Sequence, residues 1–488
     1  MNKTVATPCD EYLHYAPIWE KNKAMCEGER AVKILDKTLD STSFSNILLP
    51  FSPVMTQQQY DFYKSEAELP AIVAQFSRML VGGLLRKPPT LDVPEAYPSE
   101  AADWLRNSFG KDGAPLVSFL DEALWEELRT SRAWVWLSHP SHNIEEDTPD
   151  NIFPFPELWT AEEVINWRVK DEDGQTVLSQ VIVKKSMETP DPDSPFHPKV
   201  VPIVYVHELD STGAYQIREF ISDGKDWNLK DTHVDITMQG KRLKFIPAWP
   251  LNGSIDVCAP LLTPLVDKEV SLYNKMSRRN HLLYGASTYT PYIASDMSED
   301  DFQKVVGSGL GSWLKLAKGD TIGVMETPTD ALKDMETAIA NAMIEMAKLG
   351  IRMLSPETAQ SGIALEIRNA AQTAQLGTLN TKISLVMRQV LGVMLYWKYG
   401  ITINLDDIKF DLSEDFNPVP LGSEWIRLAT EWYENKLLPR SVWLALLKAN
   451  DLVPPEYDDD DALKEITEDS FNEEVDDDVS LDDESQQE

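Results

Sequence analysis

Between residues 263 and 398 the sequence lays down three long stretches of helical periodicity, and the way they are interrupted restricts the fold more than any other feature. The first follows Thr263, which suits an N-cap, and Pro264, which suits the first helical position. Two apolar rows run along it: Leu265, Leu272, Met276 and Leu283 beside Val266, Val270 and Tyr273. Over residues 264–284 this predicts a helix about 32 Å long, ending in the polar cluster Arg278, Arg279, Asn280 and His281. The second stretch, 329–353, carries the row Leu332, Met335, Ile339, Met343 and Met346. Its Ala331, Ala338, Ala342 and Ala347 are small enough for close helix approach. The third, 363–398, predicts a helix about 54 Å long. It is neutral and polar in its first half (Asn369, Gln372, Thr373, Gln375, Asn380) and apolar in its second (Leu385, Val390, Leu391, Met394, Leu395).

The two interruptions differ in kind. Residues 286–327 read as a small β-containing insert, with strands at 289–294 and 313–316, a turn at Lys318-Gly319-Asp320 and extended structure again at 321–325. Residues 354–362 (LSPETAQSG) are a short loop punctuated by Pro356 and Gly362. Helices this long, with wide apolar and alanine-rich faces, need lateral partners, and further copies of the same chain are the economical source.

Ahead of this region the first 165 or so residues are mixed and mostly helical. A helix is expected over 66–85, where Leu69, Val73, Phe76, Leu80 and Leu84 recur at spacings of three and four before Lys87-Pro88-Pro89 stops it. A second is expected over 114–130, and a short aromatic strand over 133–138. Residues 164–250 change character to an antiparallel, β-rich module. Strands at 164–169 and 177–185 flank an Asp173-Gly174 turn, 200–209 and 215–221 read as two more, and the Pro- and Asp-rich stretch 189–198 reads as a loop. Past the third helix, 401–412 is strand-like, and 424–436 with 441–450 form a helical pair.

Charge is pronounced. The chain of 488 residues carries a net charge of -35. Residues 458–488 hold 16 acids against the single Lys464, too polar a tail to fold alone, and the rest of the chain is acidic as well. Such a surface does not grip nucleic acid broadly, because phosphate binding needs Lys and Arg. An acidic lining lets DNA slide past without binding, but many soluble enzymes are acidic too, so acidity alone does not favour that reading. With 42% apolar residues the chain has enough material for a sizeable core, and no apolar run approaches a membrane span. The first eight residues lack a signal-peptide pattern, which predicts synthesis and assembly in the cytoplasm.

Catalytic patterns do not emerge. GxxxxGK[ST] is absent, and the glycines of 307–311 lack the strand-turn-helix setting of a cofactor loop. Seven histidines are scattered without metal-ligand spacing, the closest pair being His139 and His142. Ser361 precedes Gly362 without forming GxSxG. The acidic runs 458–461 and 476–478 read as solvated charge. Cys9, Cys26 and Cys258 are odd in number with no CxxC pair, so they read as buried thiols. The sequence therefore predicts no catalytic residue, no metal and no cofactor.

The order of elements resembles the portal proteins of tailed bacteriophages: wing, stem helix, clip, stem helix, tunnel loop, long helix, crown. Local sequence carries the same resemblance. Residues 71–89 (AIVAQFSRMLVGGLLRKPP) look like the helix-to-RKPP element of one portal family. Ala347, Leu349, Gly350, Arg352, Leu354, Glu357, Thr358, Ala359, Tyr396, Trp397 and Gly400 match its AxLGxRxL, ETA and YWxxG positions. Residues 410–416 (FDLSEDF) resemble the segment entering the crown. The resemblance covers about residues 60–455.

It implies an α+β fold in an elongated portal-type subunit, with long stem helices, a β-containing wing and clip, and a helical crown. The implied parts are an N-terminal wing region at 1–250, a stem helix at 251–284, a clip at 285–328 and a second stem helix at 329–353. A tunnel loop at 354–362, a long wing helix at 363–400, a C-terminal wing and crown at 401–457 and the acidic tail at 458–488 complete the chain. The implied role is a non-enzymatic homo-oligomeric ring, typically dodecameric, at one capsid vertex of the virion, through which double-stranded DNA is packaged and ejected. Implied partners are the major capsid protein, the terminase large subunit and a head-completion or adaptor protein, with no membrane. The implied channel residues are Ser355, Glu357, Thr358, Gln360 and Ser361; Lys315 and Lys318 are candidate clip contacts, and Arg278 and Arg279 candidate contacts between subunits in the stem. The other readings are a different virion connector, whose chains are usually shorter and lack the paired helices with an insert, and a cytosolic enzyme with a dispersed site.

Overall fold

The structure, a computed structural model, describes residues 3–35, 55–138, 154–302, 319–325, 330–348 and 362–412, apart from positions 173, 192, 193, 223, 225, 235, 288, 289, 297, 299, 301, 320 and 403. It also describes residues 430, 431, 433, 434 and 443. The chain divides into two compact units, Met1–Glu414 and Asp415–Glu488.

The first unit mixes α and β structure. Its helical layer comprises α1 (Asp10–Glu27), α2 (Glu29–Leu35), α3 (Gln57–Glu66) and α4 (Ile72–Leu84), then, after strand β1 (Thr90–Asp92), α5 (Glu100–Asn107) and α6 (Leu116–Thr130). Helix α1 buries Trp19, Met25 and Cys26 where it meets α4 and α6. The helix expected over 66–85 is α4, and it starts later than expected, at Ile72, with α3 a separate helix ending at Glu66. Pro70 disfavours helical backbone at Leu69 and removes an amide donor, and α4 starts only after Ala71, whose φ is 53°. The buried face of α4 is also rotated from the expected row: Val73, Ser77, Val81 and Leu84 are buried, whereas Phe76 and Leu80 are only half-buried.

Next come β2 (Trp134–Ser138) and β3 (Phe155–Trp159), which with β11 (Ala248–Pro250) make a three-stranded sheet in the order β11-β2-β3. The strands β4 (Val164–Glu172), β5 (Gln175–Asp191), β6 (Ser194–Leu209), β7 (Tyr215–Ser222) and β8 (Trp227–His233) form an antiparallel meander in chain order. Glu172 pairs with Gln175, and Gly174 supplies the positive φ, 78°, that the turn between them needs. Ile165, Ile182, Val204 and Val206 form the core of this sheet, and Val5, Ala6 and Tyr12 from the N-terminal segment pack against it.

The loop expected over 189–198 is instead the end of a ribbon. Strands β5 and β6 stay in register to Thr189 opposite Lys199, past the last β4 partner, Val183, and the last β7 partner, Ile203. Each strand of the ribbon has one open edge there, where a proline displaces no ladder hydrogen bond; Pro190, Pro195 and Pro198 are tolerated for that reason. Strands β9 (Thr237–Met238) and β10 (Lys241–Arg242) form a short hairpin, and β12 (Thr290–Ala294) pairs antiparallel with β13 (Thr321–Met325), these two strands being separated by residues 295–320.

Three long helices follow as expected: α7 (Thr263–Ser287), α8 (Asp330–Lys348) and α9 (Gly362–Tyr399). Thr263 is the first residue of α7 and not its cap. Its hydroxyl is occupied by the Nδ2 of buried Asn22, 2.9 Å away, which also donates to the carbonyl of Arg129. The second half of α9 is core: Ile383, Met387, Val390, Leu391, Met394 and Leu395 are fully buried, while Leu385 faces outward. The strand expected over 401–412 shrinks to β14 (Lys409–Asp411), preceded by a single 3-10 turn at Leu405–Asp407. Asn404 and two aspartates favour that turn, since the Asn404 side chain accepts from the Asp406 amide. Strand β14 pairs with β1, joining the last strand of the unit to its first.

Of the three thiols only Cys26 is fully buried, and burial pushes it up to about 12; Cys9 and Cys258 are half-buried. No described helix is long and apolar enough to cross a membrane. In the second unit the described residues 430, 431, 433, 434 and 443 are helical. The rings of Tyr433 and Trp443 stack at 4.6 Å, and the Trp443 indole donates to Thr430 Oγ1 at 3.3 Å. The strand expected at 313–316, the loop expected at 354–362 up to residue 361, most of the helical pair and the acidic tail lie outside the described residues, and Gly362 is the first residue of α9.

Candidate functional site

Helices α7 and α8 lie side by side, and their ion pairs give the direction. Lys268 Nζ is 2.6 Å from Glu345 Oε2 and Arg279 Nη2 is 3.1 Å from Glu336 Oε1, so numbering rises along one helix as it falls along the other. The pair is antiparallel, and the β12–β13 strand pair joins its far end, with Ile293 opposite Ile322.

The base and the far end of this pair differ in burial. Up to Ser277, α7 buries Leu265, Val266, Glu269, Leu272 and Tyr273 against α1, α3 and α4. Beyond Ser277 no residue of α7 is buried. Among the described side chains of α8 only Ala342 and Met346 are buried. Helix α3 flanks the outer part of α7, where Phe62 meets Tyr284 edge-on at 5.1 Å and Tyr63 meets His281 at 5.3 Å. Exposed apolar side chains remain along the pair and its strands: Leu283, Tyr284, Tyr292, Ile322 and, at 52% exposure, Ile344. Scattered apolar residues are normal on a surface, and these five are spread over the four elements of the pair and its strands.

The base is held by an interaction that no local sequence pattern indicates. The buried carboxylate of Glu269 on α7 accepts from the backbone amides of Ile72 and Val73, at 2.7 and 2.8 Å. These are orphan amides of the first turn of α4, whose own cap position is an alanine with no acceptor. A residue of the long helix therefore caps a helix of the body. Burial raises the Glu269 carboxyl above its ordinary value, and the two amide bonds act in the opposite direction. A second anchor lies on α6. Glu126, buried, accepts from Lys23 at 2.8 Å, Arg129 at 3.0 Å and the Ala161 amide at 3.1 Å, which ties α1, α6 and the start of β4 together.

Beside these anchors a groove of 570 Å³ opens between α9 and the strands, lined by Phe245, Trp249, Ile255, Leu385 and Val386 with Lys382 at its rim. Its lining is mixed, with Thr176, Asn252, Ser254 and Gln389 among the apolar side chains.

Of the residues singled out from sequence, Arg279 is committed to Glu336 within its own chain. Arg278 is exposed, near enough to Tyr63 to oppose the upward push that burial gives that phenol. Ser355, Glu357, Thr358, Gln360, Ser361, Lys315 and Lys318 lie outside the described residues. Glu269 was missed because a lone glutamate within an apolar row gives no signal of its distant partner. Its place between Val266 and Leu272, on a face that packs inward, was the available hint.

A domain family of unknown function (DUF4055) matches residues 260–398, the segment containing α7, the β12–β13 strand pair, α8 and nearly all of α9. No curated protein sequence matches the chain at a significant level. Among solved structures, a chain of the virion of a native gene transfer agent particle is 13% identical, with a TM-score of 0.40, covering 77% of this chain and 89% of that one. A chain from the neck of a native gene transfer agent particle, computed with C12 symmetry, is 11% identical with a TM-score of 0.38, at the same coverages. One from the neck of an empty particle, computed with C6 symmetry, is 11% identical with a TM-score of 0.40. These scores are too low to establish a common fold.

Proposed function

We propose that this chain is the subunit of a portal ring, a non-enzymatic virion component through which double-stranded DNA is packaged and ejected. The observation that carries the reading is the antiparallel pair α7–α8. It is buried at its base, where Glu269 ties it to α4, tipped by a strand pair, and it carries exposed apolar side chains that a monomer leaves wet. Neighbouring copies around a symmetric ring would cover that surface.

In this reading residues 251–284 and 329–353 are the stem, 285–328 the clip and 354–362 the tunnel loop. Residues 1–250 with 363–400 form the wing, and 401–457 continue it into the crown. Ser355, Thr358, Gln360 and Ser361 offer neutral polar contacts along which phosphates slide, and Glu357 repels them. The clip, including Lys315 and Lys318, docks the packaging motor and later the tail adaptor; the capsid protein surrounds the wing. Arg278, exposed on α7, is left for a contact with the adjacent copy, whereas Arg279 braces the pair internally.

Negative-stain electron microscopy of the purified chain tests this. Rings with a central hole and about twelvefold symmetry are expected. Ile344→Glu, at an exposed position on α8, should keep the subunit folded and abolish the rings. Monomers at every concentration, with and without capsid protein, would overturn the reading.

A further inference from the structure

The outer strand of the five-stranded sheet carries a cluster that neither the ring nor its channel uses. Strand β7 alternates in burial, and Glu219 occupies an inward position after Tyr215 and Ile217, where an apolar residue is expected. Its direct cross-strand partner is Asp231, and Ile217 is opposite His233. Two like charges facing each other across a ladder are unfavourable unless a cation joins them. A bulge between Glu219 and Phe220 leaves Lys230 as the extra residue of β8. That brings its ammonium to Glu219 Oε1, at 2.7 Å, on the same side as Asp231.

Each carboxylate is thus held by one oxygen and offers the other. Glu219 gives Oε1 to Lys230, and Asp231 gives Oδ1 to the Thr232 amide at 2.7 Å. The remaining oxygens converge on one imidazole nitrogen. His233 Nε2 is 3.7 Å from Glu219 Oε2 and 3.8 Å from Asp231 Oδ2, and all three ligand atoms lie within 4.8 Å of one another. Ligands of one tetrahedral zinc, bonded at about 2.1 Å, sit roughly 3.4 Å apart, so the imidazole nitrogen already stands near ligand spacing from both carboxylate oxygens, and side-chain rotation draws the set together. Bonds from Lys230 and Thr232 to the outer oxygens fix the carboxylate orientations, the part that outer-shell groups play around metals.

We propose that Glu219, Asp231 and His233 form a three-ligand site for a divalent transition-metal ion, zinc being the member whose mixed nitrogen and oxygen preference and low coordination number fit. Three protein ligands leave the fourth position to water. Calcium and magnesium fit less well, because they take six or more oxygens or demand octahedral geometry. The site lies on the outermost strand of its sheet, so a bound ion pins β8 to β7. It does not depend on the portal reading.

Equilibrium dialysis of the full chain against zinc chloride, with excess magnesium to occupy the acidic surface, is the test. One zinc per chain is expected, with affinity falling at least about tenfold in His233→Ala and in Asp231→Asn. A rise in melting temperature on adding zinc should appear in the wild type and vanish in His233→Ala. Both side chains are exposed, so the variants should fold, which circular dichroism verifies. Absence of stoichiometric zinc would overturn the proposal and leave the three groups as an ion-pair cluster around Lys230. Equal binding by wild type and both variants would overturn it too, placing the metal elsewhere.

Discussion

Glu269→Ala is expected to lower the unfolding free energy by roughly 2–5 kcal/mol, because it leaves two buried backbone amides without an acceptor. The carboxylate bonds the amides of Ile72 and Val73 and is fully shielded from solvent, so water cannot replace it without entering the core. Ala71 precedes these amides in a left-handed conformation that an L-residue adopts at some cost, so the turn depends on an outside acceptor. Glu269→Gln keeps one acceptor oxygen and should lose about half as much. Urea unfolding followed by tryptophan fluorescence measures both. A change in Glu269→Ala below about 0.5 kcal/mol would show that the amides find another partner. Because the same contact fixes the base of α7 on α4, Glu269→Ala should also disorder any assembly that relies on the α7–α8 pair.

The second large effect is a dependence on pH centred on Glu127. Its Oε2 accepts from the Ala133 amide at 3.0 Å and its Oε1 has no partner among the described residues. Burial pushes its carboxyl up to about 8 from an ordinary 4.5, against the opposing pull of that amide and of Arg132. Burial likewise lowers Arg132 to about 10. Its guanidinium lies between the Trp134 and Trp167 rings, at 4.7 and 4.2 Å, and donates to the carbonyls of Ser254 and Ile255.

The sign follows from proton counting. Between about pH 4.5 and 8 the folded chain holds a proton on Glu127 that the unfolded chain has released, so stability falls as pH rises through that window. Glu127→Gln removes the titration. The difference in stability between variant and wild type should therefore shift in favour of the variant by on the order of 2–4 kcal/mol between about pH 5 and pH 8.5. Denaturant unfolding at the two values decides it; a difference that stays constant with pH would mean that Glu127 is ionised throughout.

What was legible in the sequence follows one line. Helices α7, α8 and α9, the β4–β5 hairpin with its turn glycine and the aromatic strand β2 were all readable, because a period of 3.6 or 2 and a positive-φ glycine are written in neighbouring residues. The readings that failed did so where a local signal had a competitor. Pro70 outweighed the continuing apolar spacing before α4, and the length of a paired ribbon outweighed the prolines of 190–198.

By itself, then, the sequence determined the three long helices, their interruption by a β-containing insert, and an acidic chain with no local catalytic pattern. Only the tertiary structure decided which side chains meet. Glu269 reaches amides 197 and 196 positions away, Tyr97 donates to the Ile401 carbonyl across 304, and β1 pairs with β14, the last strand of the unit. Glu219, Asp231 and His233 show no ligand spacing in the chain and converge because antiparallel pairing and one bulge set them face to face. The physical reason is that periodicity costs nothing to express over a few residues, whereas a contact between distant positions exists only after the core has closed the loop between them.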